Sequence, residues 1–326
     1  MGQATTLIQR LTETPIIRLA ASGPAYLAFA GMQLAPRPPE LSRRRDDILR
    51  QCAPAAPLCR VEAAVVEGLE HHGIFTTSLS ALGLEVVQGD DILNNGRRAA
   101  RLLEDRAVTD RRSGMIVSEA ADLMRHAAVY QWGLAPALLR IAESYLCMPA
   151  AFDGPLIFRT PADSREVGTR KWHLDREDRR VIKVVLYLHD VDEDGGPFQI
   201  LKQETDRGDG SFTYPTLTMA ELQRKLVTSL TEENITTCTG KAGMLVFADT
   251  ARFFHRGKPA TARERFAIVY GYFARRPHHP FFCKRTRLSR RQIVKLVEGL
   301  SADQRATALW RDNLSWGERL IPPSLI

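Results

Sequence analysis

The stretch Gly243-Met-Leu-Val-Phe-Ala248, followed by Phe253-Phe254-His255-Arg256-Gly257 and then by Arg265-Phe-Ala-Ile-Val-Tyr270, decides the fold class of this chain. Two short apolar runs rich in β-branched and aromatic residues flank a polar connection, which is the pattern of strands joined by turns. The same pattern recurs from Ala150 onward. Pro155 to Arg159, Val181 to Leu188, Phe198 to Leu201, Met244 to Phe247 and Arg265 to Phe273 read as strands, with turns at Asp194-Gly195-Gly196 and Lys241-Ala242-Gly243. Several short strands at this spacing predict a sandwich or jelly roll. Helical periodicity lies on either side, over Val61 to His71, Asp90 to Asp105, Ala120 to Tyr130 and Pro136 to Leu146 before it, and over Ser289 to Trp310 after it. The expected class is thus α+β, with a mainly β core and flanking helices.

The 326 residues suit one large β domain with helical additions. Residues 1–60 are irregular, with a helix-breaking Pro36-Arg37-Pro38-Pro39 and a short charged helix from Leu41 to Leu49. We read them as an N-terminal extension packed on the core. Residues 61–326 then form one domain: a helical front, the β core and a C-terminal helix. Lys202 to Cys238 reads as an excursion from the β core, helical over Met219 to Leu230.

Chemistry concentrates in Trp172-His173-Leu174-Asp175. In extended backbone, residues two apart project to one side, so His173 and Asp175 enter the same cavity. A third donor is His255, 82 positions beyond His173 (255 − 173), after the apolar run that ends at Ala248. Two imidazoles and one carboxylate on one face leave other metal positions open, the donor set of non-haem iron(II) oxygenases. Arg265 opens the next apolar run, on the side of Ala267 and Val269. A planar, permanently charged fork at the mouth of a barrel suits a dicarboxylate held by one end. Arg263, two residues earlier, competes for that place. Arg159 and Lys183 lie on strands whose alternation is readable and whose phase is not, so either faces the cosubstrate or points outward. Lys171 shares the parity of His173, and Trp172 points the other way, into packing.

These stretches resemble the phytanoyl-CoA dioxygenase family, a branch of the Fe(II)/2-oxoglutarate oxygenases. The similarity runs from Leu156-Ile-Phe-Arg-Thr-Pro161 through Trp172-His-Leu-Asp175 and Val184-Val-Leu-Tyr-Leu-His-Asp-Val-Asp-Glu-Asp-Gly-Gly-Pro197 to His255-Arg-Gly257 and Arg265-Phe-Ala-Ile268. It covers about the C-terminal half of the chain. The resemblance implies a double-stranded β-helix (jelly roll, cupin-like). It implies His173, Asp175 and His255 as iron ligands, and Arg265 as the partner of the distal carboxylate of 2-oxoglutarate. The implied activity is an oxidoreductase using Fe(II), 2-oxoglutarate and O2, a dioxygenase hydroxylating an unactivated C–H bond with release of succinate and CO2. Its substrate would be a small molecule, anionic or linked to an acyl carrier. The chain departs from the family at Leu201-Lys-Gln-Glu-Thr205, where members often carry Pro-Gly-Ser-His. Desaturation and cyclisation use the same ligands and stay open, as does the oligomeric state.

Two other function classes compete. One is a non-catalytic metal-binding β-sandwich protein, since imidazole and carboxylate also suit zinc. The other is an oxygenase acting on nucleic acid. The net charge is +7, and Arg275 to Lys295 holds eight Lys or Arg and no acid. No nucleic-acid motif accompanies that run, so a solvated basic face is the simpler reading. The five cysteines, Cys52, Cys59, Cys147, Cys238 and Cys283, form no CxxC pair and read as reduced thiols, mostly buried. Ile16 to Ala35, interrupted by Arg18, Gly23, Pro24, Gly31 and Gln33, is too broken to span a bilayer, and a cytoplasmic location is expected. His71 and His72 read as a helix end, His278 and His279 as solvated, and His126 and His189 as structural or exposed.

Overall fold

The run opening at Arg265 becomes the longest-paired strand of a jelly roll. The structure, a computed structural model, describes residues 57–106, 114–205, 216–226, 230–283 and 286–321, together with 23–25, 27–28 and 31. The Pro36 to Pro39 break, the helix expected from Leu41 to Leu49, Cys52, Lys284 and Arg285 lie outside the described residues. The first helices and strands are α1 (Arg60–His72), β1 (Ile74–Ser78), β2 (Val86–Val87), β3 (Asp90–Asp91), α2 (Ile92–Arg101), β4 (Ile116–Val117), α3 (Ala120–Arg125), α4 (Ala127–Trp132) and α5 (Pro136–Leu146). The β core follows as β5 (Ala150–Thr160), β6 (Ile182–Tyr187), β7 (Phe198–Glu204), α6 (Met219–Leu226), β8 (Ile235–Cys238), β9 (Met244–Asp249), β10 (Phe253–Gly257) and β11 (Arg265–Ala274). The chain then forms α7 (Arg290–Leu296), α8 (Ala302–Ala308) and α9 (Trp316–Leu320).

Two antiparallel sheets make the core. The larger runs β1-β9-β6-β11-β5-β4 and the smaller β10-β7-β8. Residues alternate between the two faces of each strand of the larger sheet. Val185 and Tyr187 of β6, Val246 and Ala248 of β9, and Ala267 and Val269 of β11 meet Phe198, Ile200, Cys238 and Phe253 of the smaller sheet. Their neighbours Val184, Leu186, Leu245, Phe247, Ile268 and Tyr270 pack instead against the helices, through Val65, Leu69, Trp132 and Leu138 among others. Strand β6 is buried along its whole length for this reason. Tyr187 ties the sheets together: its hydroxyl donates to the Cys238 carbonyl at 2.8 Å and accepts from the Phe198 amide at 2.9 Å.

Several boundaries differ from the sequence reading. The helix expected over Asp90 to Asp105 starts at Ile92, because the Asp91 carboxylate caps it by accepting from the Asn94 amide at 2.9 Å. The helix expected over Ala120 to Tyr130 is broken at His126 (φ −118°, ψ 56°) into α3 and α4. The C-terminal helix is two, α7 and α8, parted where Gly299 adopts φ +81°. The excursion beginning at Lys202 returns as β8, a strand of the smaller sheet, and His255 sits within strand β10 instead of the turn after a strand. His279 is buried, not solvated, its Nδ1 lying 2.8 Å from the Arg176 carbonyl. His189 is structural, its Nε2 accepting from the Phe266 amide at 2.8 Å. Of the described cysteines Cys238 and Cys283 are buried, Cys147 is half-buried and Cys59 exposed, all as free thiols. Two cations of the basic run have local partners. Arg290 pairs with Asp312 at 2.8 Å, and Arg275 donates to the Ala150 carbonyl at 3.3 Å.

Phe247 is only 1% exposed and lies on the helix-covered face of β9. Phe247→Ala should therefore lower the unfolding free energy by about 3–5 kcal/mol in a denaturant titration.

Candidate metal centre

His173 adds a single rung to β10 at His255, while Trp172 beside it pairs with Leu217. The His173 amide donates to the His255 carbonyl and the His255 amide donates back, each at 3.1 Å. Residues paired this way in an antiparallel ladder present their side chains on the same face. The two imidazoles accordingly lie with centroids 4.2 Å apart and planes tilted by 53°. Asp175 follows two residues later on the same side, and its amide donates to the Thr250 carbonyl at 2.8 Å. One ligand-type atom from each of His173, Asp175 and His255 lies within 4.8 Å of the others. His255 Nε2 is 3.8 Å from Asp175 Oδ2. All three side chains are buried, at 2%, 4% and 2% exposure.

Both rings are oriented from behind. His173 Nδ1 lies 2.8 Å from the Lys171 carbonyl and His255 Nδ1 3.3 Å from the Phe253 carbonyl. A carbonyl only accepts, so each Nδ1 carries the proton and each Nε2 keeps its lone pair. His255 Nε2 is buried and has no hydrogen-bond partner among the described residues. Such an orphaned acceptor is costly unless a ligand satisfies it. Donors sharing one ion at about 2.1 Å sit up to roughly 4.2 Å apart, so the triad is near the spacing an ion imposes. Burial, then the neighbouring His173, hold the His255 pKa well below the usual imidazole range, while the Asp175 carboxylate opposes them.

The same inner face carries two more cations. Lys183, on β6, points inward and its Nζ pairs with Asp175 Oδ2. Arg265 starts the inward row of β11 that continues with Ala267 and Val269. Its buried guanidinium donates to the Gly196 carbonyl and lies 5.4 Å from the Phe158 ring centroid. It runs so close to β10 that a Cβ on Gly257 would come within 2.5 Å of Nη2. A side chain at residue 257 would therefore push the guanidinium from this position. Burial lowers the Arg265 pKa from its ordinary value.

The other expected site residues go elsewhere. Arg159 points away from the interior, pairing with Glu264 at 2.6 Å and donating to the Leu103 and Glu104 carbonyls. Arg263 is at the surface, 63% exposed and paired with Asp192. Trp172 packs on the far side with Leu201, Leu222, Ile235 and Phe254. A buried arginine escaped the sequence reading: Arg170, which donates to the Gly114 carbonyl and pairs with Asp163. Nothing in the local pattern marks it, because it sits in a single 3-10 turn and not on a strand.

Residues 163–273 match the family model described as the 2OG-Fe(II) oxygenase superfamily. That stretch, about a third of the chain, is similar to the 2OG-Fe(II) oxygenase superfamily. Iron(II) and 2-oxoglutarate are the cofactor and cosubstrate of that superfamily. The match is to the superfamily as a whole and does not single out the phytanoyl-CoA dioxygenase branch. No curated protein matches this chain in sequence. Among solved structures it is similar to EctD from S. alaskensis with 2-oxoglutarate and 5-hydroxyectoine, at 15% identity and a TM-score of 0.46 over 72% of this chain and 84% of that one. It is also similar to the epimerase SnoN in complex with Fe3+, alpha ketoglutarate and nogalamycin RO (15% identity, TM-score 0.44, 66% and 84% covered). A third is HygX from Streptomyces hygroscopicus with nickel, 2-oxoglutarate and hygromycin B (14% identity, TM-score 0.42, 67% and 88% covered).

The depressed His255 pKa has a consequence for stability. The imidazole of the unfolded protein takes up a proton near pH 6.5, whereas the folded one resists it. Below that pH the unfolded state binds more protons, so stability rises with pH through this window and is lost on acidification. Denaturant unfolding of the metal-free protein at pH 7.5 and 5.5 should show that loss, and His255→Gln should reduce it.

Proposed function

We propose that His173, Asp175 and His255 hold one iron(II) ion and that Arg265 anchors the distal carboxylate of 2-oxoglutarate. The protein would then be a dioxygenase that hydroxylates an unactivated C–H bond of a small-molecule, anionic or acyl/carrier-linked substrate. The observation that carries this reading is the buried, unpartnered His255 Nε2 aimed at Asp175 within a three-donor cluster. Two imidazoles and one carboxylate are the donor set of non-haem iron sites with open positions. Held by these residues, iron would supply the oxidising power from 2-oxoglutarate and O2, with succinate and CO2 as the by-products.

The chain's own residues do the rest. The Lys171 and Phe253 carbonyls hold the two imidazoles in the tautomer that binds metal. Arg265 offers a dry, fixed fork to a carboxylate, and Gly257 gives its guanidinium room. The apolar residues between the sheets keep water from the reacting region. Asp175 bears on the outcome, because related halogenases carry a small residue there to admit halide; a carboxylate favours oxygenation. We also place residues 61–326 in one oxygenase domain; most of the expected N-terminal extension, 1–60, lies outside the described residues. A reducing, cytoplasmic compartment suits its free thiols. No helix of the described residues is long and apolar enough to cross a membrane.

Anaerobic addition of Fe(II) and 2-oxoglutarate should raise a metal-to-ligand charge-transfer band, and air should then yield succinate. A well-folded protein showing neither would contradict the proposal. Asp175→Ala should abolish both. Arg265→Leu should weaken 2-oxoglutarate binding by about 2–5 kcal/mol, or at least roughly thirtyfold, while leaving metal binding in place. Gly257→Ala should reproduce part of that loss by displacing the guanidinium.

A further inference from the structure

The turn between β9 and β10 contains a carboxylate that neither iron nor 2-oxoglutarate would touch. Asp249 closes β9 and is wholly buried. Its Oδ1 accepts from the amides of Ala251 at 3.0 Å, Arg252 at 3.3 Å and Val181 at 3.3 Å. Its Oδ2 accepts from the Tyr145 hydroxyl at 2.5 Å. That hydroxyl accepts in turn from Arg252 Nη1 at 3.0 Å, and Arg252 is clamped to Glu204 at 2.8 and 2.7 Å. Every partner of Asp249 is a donor, which suits an acceptor-only side chain. Burial holds the pKa of Asp249 above the usual carboxylate range, against the opposing pull of the Tyr145 hydrogen bond, Arg252 and the turn amides. A group this costly to bury calls for a reason.

The reason lies one residue further on in each direction of the metal centre. Thr250, next to Asp249, accepts the Asp175 amide through its carbonyl at 2.8 Å, and its own amide donates to the Val181 carbonyl at 2.9 Å. Three residues after that, Phe253 begins β10, whose third residue is His255. The Thr205 amide donates to the Arg252 carbonyl at 2.9 Å, which fixes the start of β10 against the end of β7. The backbone of Asp175 and the strand of His255 thus hang from one turn, and Asp249 holds that turn closed.

We propose that Asp249 is a positioning residue: by bonding the amides of its own turn and of Val181, it sets Asp175 relative to His255 and so tunes the affinity of the site for metal, with Tyr145 and Arg252 orienting its carboxylate. This rests on the reading of His173, Asp175 and His255 as metal ligands. It resembles the outer partners of other metal sites, whose loss lowers metal affinity by about 10–100-fold.

The test is a titration of the full chain with Mn(II), followed by the loss of the free-ion electron paramagnetic resonance signal. The parent should bind one ion. Asp249→Ala should bind at least about tenfold more weakly, and Asp249→Asn, which keeps the acceptor for the turn amides, should recover most of the affinity. Arg140→Gln serves as the control. It breaks the 2.5 Å ion pair to Glu62 between α1 and α5, and should lower the melting temperature with the Mn(II) affinity unchanged. Parental affinity in folded Asp249→Ala, or an equal loss in Arg140→Gln, would overturn the proposal. If Asp249→Ala does not fold, Tyr145→Phe, which removes the hydrogen bond that orients the carboxylate, decides: parental affinity overturns the proposal, and weakened binding supports it. A parent that binds no Mn(II) sinks the ligand assignment itself, a result distinct from these.

Discussion

Everything at the centre depends on a pair of backbone hydrogen bonds. The amides and carbonyls of His173 and His255 face each other at 3.1 Å, and through them a residue far upstream becomes the neighbour of one in β10. Two such bonds stabilise by only about 1 kcal/mol each, so the pairing is secured by what surrounds it. Trp172 is buried among Leu201, Leu222, Ile235 and Phe254 on one side, and Phe198 lies 5.7 Å from the His255 ring on the other. The bridge sets the distance between two imidazoles, and the two-residue repeat of extended backbone then delivers Asp175.

The second constraint is charge in a dry interior. Lys183, Arg170 and Arg265 are all buried, and each is answered by an acceptor: Asp175 for Lys183, the Gly114 carbonyl and Asp163 for Arg170, and the Gly196 carbonyl for Arg265. Arg265 differs in that, among the described residues, a neutral carbonyl is the only hydrogen-bond acceptor it has, whereas Lys183 and Arg170 each meet a carboxylate. Burying a cation so poorly compensated costs several kcal/mol. A carboxylate ligand would offset that cost, in line with the proposed role of Arg265. Arg159, tied to Glu264 outside the sandwich, has no such need.

Much of this was legible in the sequence because it follows from local periodicity. His173 and Asp175 share parity, Arg265 shares parity with Ala267, and the apolar runs are long enough to read as strands. The phase of a strand is a tertiary property, so Arg159 and Lys183 looked alike and lie on opposite faces. Strand β10 is short and shifts register between Phe253 and His255, which hid it as a turn. Strand β8 is four residues long, half of them threonine, with no apolar run to announce it. The break at His126 involves no glycine or proline. Tyr145 and Asp249 are 104 positions apart, and a hydrogen bond across that distance leaves no trace in any local pattern.

The central claim is that three side chains from two distant segments hold one metal ion. Crystals grown anaerobically with Fe(II) and 2-oxoglutarate, measured at the iron absorption edge, test it most directly. The account predicts one anomalous peak at about 2.0–2.2 Å from His173 Nε2, His255 Nε2 and an Asp175 oxygen. A peak bound elsewhere, or none between these residues in well-ordered crystals, would contradict it.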